Sequence, residues 1–501
     1  LRRNIQSRLL VSASAAVFVA GCAVGPDFER PAGPETAAYT AEPLPAATAA
    51  GEASDLPAGG SQRFVTGADV PVEWWMLFES DALNELVEAA LEANPDLDAA
   101  EASLARVRED YFAARGPLFP SVTGSGTATR QQTSPQTTNT LLSLYNASVS
   151  VSYALDVFGG VRRAVEAAGA QAEGQRYQLE ATYLTLVANV LTAAIQEASL
   201  AAQIEAFEEI IDVQSQALDL MTQQFELGAV ARGDVLAQQS QLTQTQASLP
   251  GLQRQLAQIR TQLTVLLGRY PSEGPLRSVT LLDLTLPQEL PLSVPSELVN
   301  QRPDVRIAEE LLHQASANIG VATANMLPQF TLSANYNTAT TSAAGTSPLF
   351  SSNTLGWSLA SGVTAPIFRG GQLSHQRQAA IYGFEVAEAQ YRSTVLAAFA
   401  NVANVLDALR YDAEALRAQE LAVNTAEQSL EITTERFRAG AIAYLPLLDA
   451  QRTYQQARIS LVQSQAARFV DTVALFQALG GGWWNREELL TATRENTIAI
   501  P

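Results

Sequence analysis

Few side chains in this 501-residue chain could carry covalent or metal chemistry. There is one cysteine, Cys22, there are two histidines, His313 and His375, and every other side-chain cation is an arginine. A lone thiol excludes an internal disulfide and a thiolate zinc cluster. Neither histidine has a metal-ligand neighbourhood at helical spacing; His313 reads as a helix-surface residue and His375 as an early-helix one. With no convergent nucleophile, base or metal set, an enzyme is not expected. What remains is acylation of Cys22. Arg2, Arg3 and Arg8 precede an apolar run from Leu9 to Ala20, which ends in small residues just before the cysteine, the layout of a secretory signal. At ~12 residues the run is too short to span a bilayer, which takes ~20. No later stretch reads as a transmembrane helix.

Val19-Ala20-Gly21-Cys22 resembles a bacterial lipobox, in which the cysteine becomes the first mature residue and carries a diacylglycerol and an N-acyl chain. Residues 1–21 are then a signal peptide, and residues 22–72, rich in Pro, Ala and Gly, a lipidated extended segment. Ala23 follows, not the aspartate that retains many lipoproteins in the inner membrane, so the outer membrane is favoured. No other cofactor is expected. The 51 acidic residues against 31 basic ones make nucleic acid an unsuitable partner. The excess fits a solvated acidic surface or a cation-attracting lumen.

The elements that must position these residues come as two copies. At an offset of 212, Phe225, Gly228, Ala229, Leu236, Gln239, Leu263 and Gly268 return as Phe437, Gly440, Ala441, Leu448, Gln451, Leu475 and Gly480. Upstream, Pro95-Asp96 recurs as Pro303-Asp304 with a small drift. The chain divides into a first repeat at 73–268, a linker at 269–300, a second repeat at 301–480 and a tail at 481–501. Each repeat predicts a helix of about 65 residues, a reversal at Gly228 or Gly440, and a helix of about 35 residues. Leu200, Ile204, Phe207, Ile211, Leu218, Met221 and Phe225 form a heptad seam for coiled-coil pairing. Pro250 should kink the shorter helix.

Alternation of apolar and polar residues predicts strands near 121–129, 146–158, 329–337 and 356–367, as in Val149, Val151, Tyr153, Leu155 and Val157. The fold class is therefore mainly α with a small β part. An apolar outer face suits a membrane barrel, but four strands cannot close one alone. Two chains would give eight strands, and three would give twelve and a water-filled pore. A lipid-anchored scaffold that spans the periplasm without a pore is the rival reading.

Several stretches resemble the TolC-like outer-membrane factors of bacterial efflux and secretion systems, in the lipoprotein branch typified by OprM and NodT. They are Gly21-Cys22-Ala23-Val24-Gly25-Pro26-Asp27-Phe28, Trp74-Trp75 with Phe78, Asp81-Ala82-Leu83-Asn84, and Arg302-Pro303-Asp304-Val305 continuing through Ala308-Glu309, Ile319-Gly320 and Pro328. The resemblance implies a long α-helical coiled-coil barrel with four membrane strands per chain. A homotrimer would have a twelve-stranded barrel in outer-membrane lipid. It also implies docking to a periplasmic adaptor protein, itself linked to an inner-membrane efflux pump, and passive export of drugs or toxic compounds. Metal-cation export by the same architecture is the alternative cargo. By position, the tips Leu227-Gly228-Ala229 and Ala439-Gly440-Ala441 would meet the adaptor. Asp449 would be the acid at the periplasmic gate, with Asp234 as an acid near the equivalent point of the first repeat, where Ala237 stands opposite Asp449.

Overall fold

The computed structural model describes residues 23–34, 36, 38–51, 56–133, 140–274, 276–342 and 355–486. In chain order the elements are β1 (Arg63–Thr66), α1 (Asp81–Ala93), α2 (Pro95–Ala114), β2 (Ser121–Thr133), β3 (Thr140–Leu155), α3 (Gly160–Glu226), α4 (Arg232–Leu266), β4 (Glu289–Leu292), α5 (Pro295–Gln301), α6 (Pro303–Ala324), β5 (Gln329–Ser342), β6 (Leu355–Thr364), α7 (Gln372–Arg438) and α8 (Tyr444–Ala478). Short 3-10 turns link some of them. Helices α3 and α7 are each 67 residues long, and α4 and α8 are each 35. At 1.5 Å per residue the longer pair measure ~100 Å each. Both pairs start and stop 212 residues apart.

Upstream of the long helices, the Pro-Asp pairs make the same joint twice. Asn94 closes α1 and opens α2: its Oδ1 accepts from the N–H of Asp96 at 2.9 Å, while its Nδ2 donates to the carbonyl of Leu266 at 2.8 Å. In the second repeat Arg302 donates to both carboxylate oxygens of Asp304 and, at 2.7 Å, to the carbonyl of Ala478. Leu266 and Ala478 are repeat equivalents. The glycines just beyond them close the joint. A Cβ on Gly268 would lie 1.9 Å from the carbonyl oxygen of Ala93, and one on Gly480 would lie 2.6 Å from that of Gln301.

Two compact units form, and they cut across the repeats. One takes Leu1–Pro31, Ser103–Arg176 and Ile307–Arg392; the other takes Ala32–Ala102, Tyr177–Arg306 and Ser393–Pro501. Each draws on both copies because each long helix passes from one unit to the other. In the second unit the core is built on Trp74, Phe78, Leu83, Leu191, Ile195, Phe469 and Phe476, all buried. Trp74 stacks on Phe476 at 5.1 Å. Arg468 is fully buried there and donates to the carbonyls of Ala58 and Gly60, to Thr48 Oγ1 and to Gln62 Oε1. Burial lowers its pKa to about 10, which still leaves it charged at neutral pH.

Several expectations need correction. The segment before residue 73 is not simply extended: β1 pairs in parallel with β4 of the linker, from Arg63 opposite Glu289 to Thr66 opposite Leu292. The strands are displaced from the alternation windows. β2 runs on to Thr133 and β3 starts at Thr140, because ladder hydrogen bonds continue where β2 is polar on both faces and β3, with Leu141, Leu142, Leu144 and Tyr145, does not alternate strictly. β3 stops at Leu155, short of Val157 and Phe158, because the Asp156 carboxylate accepts the N–H groups of Val161 and Arg162 and opens α3. Likewise β6 ends at Thr364, leaving Ile367 outside. Pro250 does lie inside α4 as expected, and the helix continues on both sides of it. Finally, α3 does contain a window apolar enough to cross a membrane, with mean hydropathy 1.4. Most of that window is buried inside the protein, as suits a core helix.

Candidate functional site

In the first unit the strands form one antiparallel sheet in the order β2-β3-β5-β6. Directly opposed residues in an antiparallel pair point to the same face. Val122 opposes Val151, Val149 opposes Tyr336, Tyr153 opposes Leu332, Tyr336 opposes Trp357 and Phe330 opposes Val363, so the apolar residues share one face. Val122, Val149, Tyr336, Trp357, Leu359 and Val363 are all exposed there. The opposite face carries Ser125, Ser148, Ser150, Asn335 and Ser358 in the same register, with Ser125 and Ser148 hydrogen-bonded at 2.8 Å. A sheet with one greasy exposed face and one hydroxyl-lined face separates hydrocarbon from water.

In the second unit the helix reversals are built alike. At the end of α3 the N–H of Gly228 donates to Phe225 and that of Ala229 to Gln224; at the end of α7 the N–H of Gly440 donates to Phe437 and that of Ala441 to Arg436. Gly228 and Gly440 take φ of 74° and 69°, the left-handed conformation that closes a helix this way. Leu227 is 85% exposed, so the first tip presents a bare apolar side chain. The tip residues Ala229, Ala439 and Ala441 are exposed as well.

Just behind the reversals, Met221 of α3 packs with Tyr444, Leu447 and Leu448 of α8, and Val235, Ala237, Leu430 and Phe437 close around them. All four long helices contribute. The Tyr444 ring meets Phe437 edge-on at 5.7 Å, and its buried hydroxyl has no hydrogen-bond partner among the described residues. Burial pushes that phenol up to about 12, Arg452 pulling it down and Asp234 adding to the rise. Arg452 Nε donates to Gln241 Oε1 at 2.6 Å, joining α8 to α4.

Asp449 is exposed on α8, and no partner holds its carboxylate among the described residues; only its main-chain carbonyl is used, by Thr453 Oγ1 at 2.9 Å. Its counterpart Ala237 instead packs against the apolar cluster. Asp234 is half-buried in the first turn of α4 and acts on Tyr444 through its charge; nothing pairs it with Asp449. Sequence reasoning missed Tyr444, Arg452 and Gln241, and placed Met221 in the coiled-coil seam without linking it to α8. An aromatic in the first position of α8 where α4 has Arg232 was the available signal.

Cys22 lies outside the described residues, but the chain that follows it is firmly held in the first unit. The N–H of Val24 donates to the carbonyl of Phe158 at 3.0 Å. Arg163, buried, donates to Asp27 at 2.6 Å, to Glu166 at 2.7 Å and to the carbonyl of Val24 at 3.3 Å. Arg30 pairs with Glu309 at 2.8 Å. His313 is not the plain surface residue expected. Its ring stacks on Phe28 at 4.4 Å, and its two nitrogens face Glu310 at 3.4 Å and Glu166 at 3.2 Å. The hydrogen bond to Glu310 raises its pKa most; burial opposes this, and Glu166 adds to the rise. His375 stands in the first turn of α7, its N–H bonded to the carbonyl of Gly371. Among the described residues no group of three or more His, Cys, Asp and Glu could hold a metal.

The family model described as outer membrane efflux protein matches the chain twice, over residues 86–269 and 294–481. The chain is 29% identical to the antibiotic efflux pump outer membrane protein ArpC of Pseudomonas putida, over 98% of this chain and 99% of that one. It is 30% identical to the solvent efflux pump outer membrane protein SrpC of Pseudomonas putida, over 94% of this chain and 97% of that one. Among solved structures, the outer-membrane channel OprN is similar at 28% identity with a TM-score of 0.81, covering 92% of this chain and 100% of that chain. The two repeats, the amphipathic sheet and the paired long helices thus place the chain in the outer membrane efflux protein family, with its TolC-like fold, as a channel and not an enzyme.

Proposed function

We propose that three copies of this chain close one barrel of about twelve strands in the outer membrane. The long helices would continue its lumen as a periplasmic conduit, loaded by a periplasmic adaptor and an inner-membrane pump. The observation that carries this reading is the sheet itself: β2 and β6 each have a single neighbour, and the exposed apolar face between them is fit for lipid. Unpaired strand edges are not stable in hydrocarbon, so further chains must supply the missing neighbours. The cargo is small toxic organic molecules, as the antibiotic and solvent efflux relatives suggest. The glycine-capped tips at 227–229 and 439–441 are the adaptor-contacting surface. Asp449 is the gate acid: an exposed, unpartnered carboxylate repeated around a threefold axis repels its copies and attracts cations. Asp234, in the first turn of α4, is the gate acid of the first repeat. Cys22 carries the lipid anchor.

Single-channel recording of the purified assembly in planar bilayers tests this. Small closed-state openings that grow in Asp449→Ala are expected, with reduced cation preference. An inserted assembly that stays silent both as wild type and as Asp449→Ala would leave the pore-less scaffold standing.

A further inference from the structure

We propose that the groove at the feet of β3 and β5 is an acyl-chain site, occupied by a fatty acyl chain of the lipid on Cys22. The proposal rests on the lipidation reading above and adds a protein seat for one chain of that lipid. The groove lies wholly within the first unit and measures about 420 Å³. Pockets that enclose small ligands run to ~300–1,000 Å³, so its size suits a hydrocarbon chain. Leu155, Val157, Phe158, Val161, Ala324 and Phe330 dominate its lining. The Phe158 and Phe330 rings stand 6.4 Å apart. The one charged lining residue, Asp156, makes no demand on an occupant, because its carboxylate already accepts from the N–H groups of Val161 and Arg162 and from the Arg162 guanidinium. Asn325 and Gln329 are the other polar residues of the lining; the rest is apolar, and a roomy, mostly apolar space favours hydrocarbon over water.

The chain itself names the occupant. Ala23 packs on Gly159 so closely that a Cβ there would come within 2.6 Å of the Ala23 Cα. The residues on either side of Gly159, Phe158 and Gly160, both line the groove. A residue bonded to Ala23 has its Cα about 3.8 Å further on, so a thioether-linked lipid at Cys22 starts beside the groove. The N-terminal strap, residues 23–30, is fixed there by Val24 on Phe158 and by Asp27 on the buried Arg163.

The test uses the full chain, expressed in bacteria fed a fatty acid that carries a terminal alkyne and a photoreactive diazirine. Membranes are irradiated, and crosslinked peptides of the purified protein are mapped. Incorporation is read first by tagging the alkyne: no label in the wild type, or undiminished label in Cys22→Ser, overturns the lipidation reading and the proposal with it. With label present, crosslinks within residues 154–164 and 324–330 are expected. Crosslinks only to membrane lipid, to the apolar strand face or to a neighbouring copy overturn the groove and leave lipidation standing. Ala164→Trp, which fills the groove from α3, is expected to lose the groove crosslinks while keeping label and assembly. Should that variant fail to assemble, Asn325→Trp reads the same question from the other wall. An unchanged crosslink pattern in an assembled variant counts against the site.

Discussion

The two helix reversals share one backbone and differ in almost everything their side chains do. Gly228 and Gly440 close α3 and α7 with the same pair of hydrogen bonds and nearly the same φ. Behind the second, Tyr444 starts α8 by burying its ring against Met221 and Phe437; behind the first, Arg232 starts α4 exposed to solvent. Asp449 points to water where Ala237 packs inward. The difference teaches that the duplication preserves main-chain geometry, which glycine dictates, while charge and aromatic packing are free to diverge. Within the tips, that divergence lies in the first turns of α4 and α8.

The joints at the other ends of α4 and α8 offer the sharpest way to break the comparison. Gly268→Ala and Gly480→Ala each drive a methyl into a carbonyl at positive φ, and each is expected to cost above about 3 kcal/mol. Loss of folded, detergent-stable assembly in both is the measurement; tolerance of one alone would show that the joints are not equivalent. Next in size, Tyr444→Ala should destabilise by about 3 kcal/mol through the cavity it leaves, whereas Arg232→Ala at the equivalent position should stay within ~0.5 kcal/mol. Thermal melts of the solubilised protein compare them, and equal losses would remove the asymmetry described above. Smaller still, Gly228→Ala and Gly440→Ala meet open space and pay only for the left-handed φ, ~1 kcal/mol each.

The smallest effect separates α2 from α6. Among the described residues α6, and not α2, receives the N-terminal segment, through Glu309 with Arg30 and His313 with Phe28, while Glu310 holds the histidine; the positions matching Glu310 and His313 on α2 are Ala102 and Ala105. The folded state raises the His313 pKa, so its contribution is fully present below the ordinary imidazole value of ~6.5 and is lost as pH rises through the raised value. Partial exposure screens it to under about 1 kcal/mol. Wild type should therefore lose a small increment of melting temperature over that window relative to His313→Gln, and parallel curves would assign the histidine to stacking on Phe28 alone.

Much of this was legible before any coordinates. The absence of proline and the sparse glycine after Val161 announce a helix whose bounds, Gly160–Glu226, follow closely, because local propensity and a missing breaker decide helix length. Strand bounds were less legible. Thr127 to Thr133 has no apolar face to alternate, and only pairing with Thr140 to Asn146 makes it a strand. The strap was illegible for a similar reason: Asp27, Phe28 and Arg30 meet their partners more than 130 residues away, a distance over which sequence pattern carries no signal.

The sequence by itself determined the duplication, the helix lengths, the glycine reversals and the alternating strand faces, since each depends on residues near in the chain. Tertiary structure decided which of the repeated positions became distinct. It placed Ala237 on an apolar cluster and left Asp449 in water, set His313 between two carboxylates, and split both repeats across two compact units. Burial and partner choice are properties of long-range packing, and two nearly identical local segments acquire different chemistry only when different neighbours close over them.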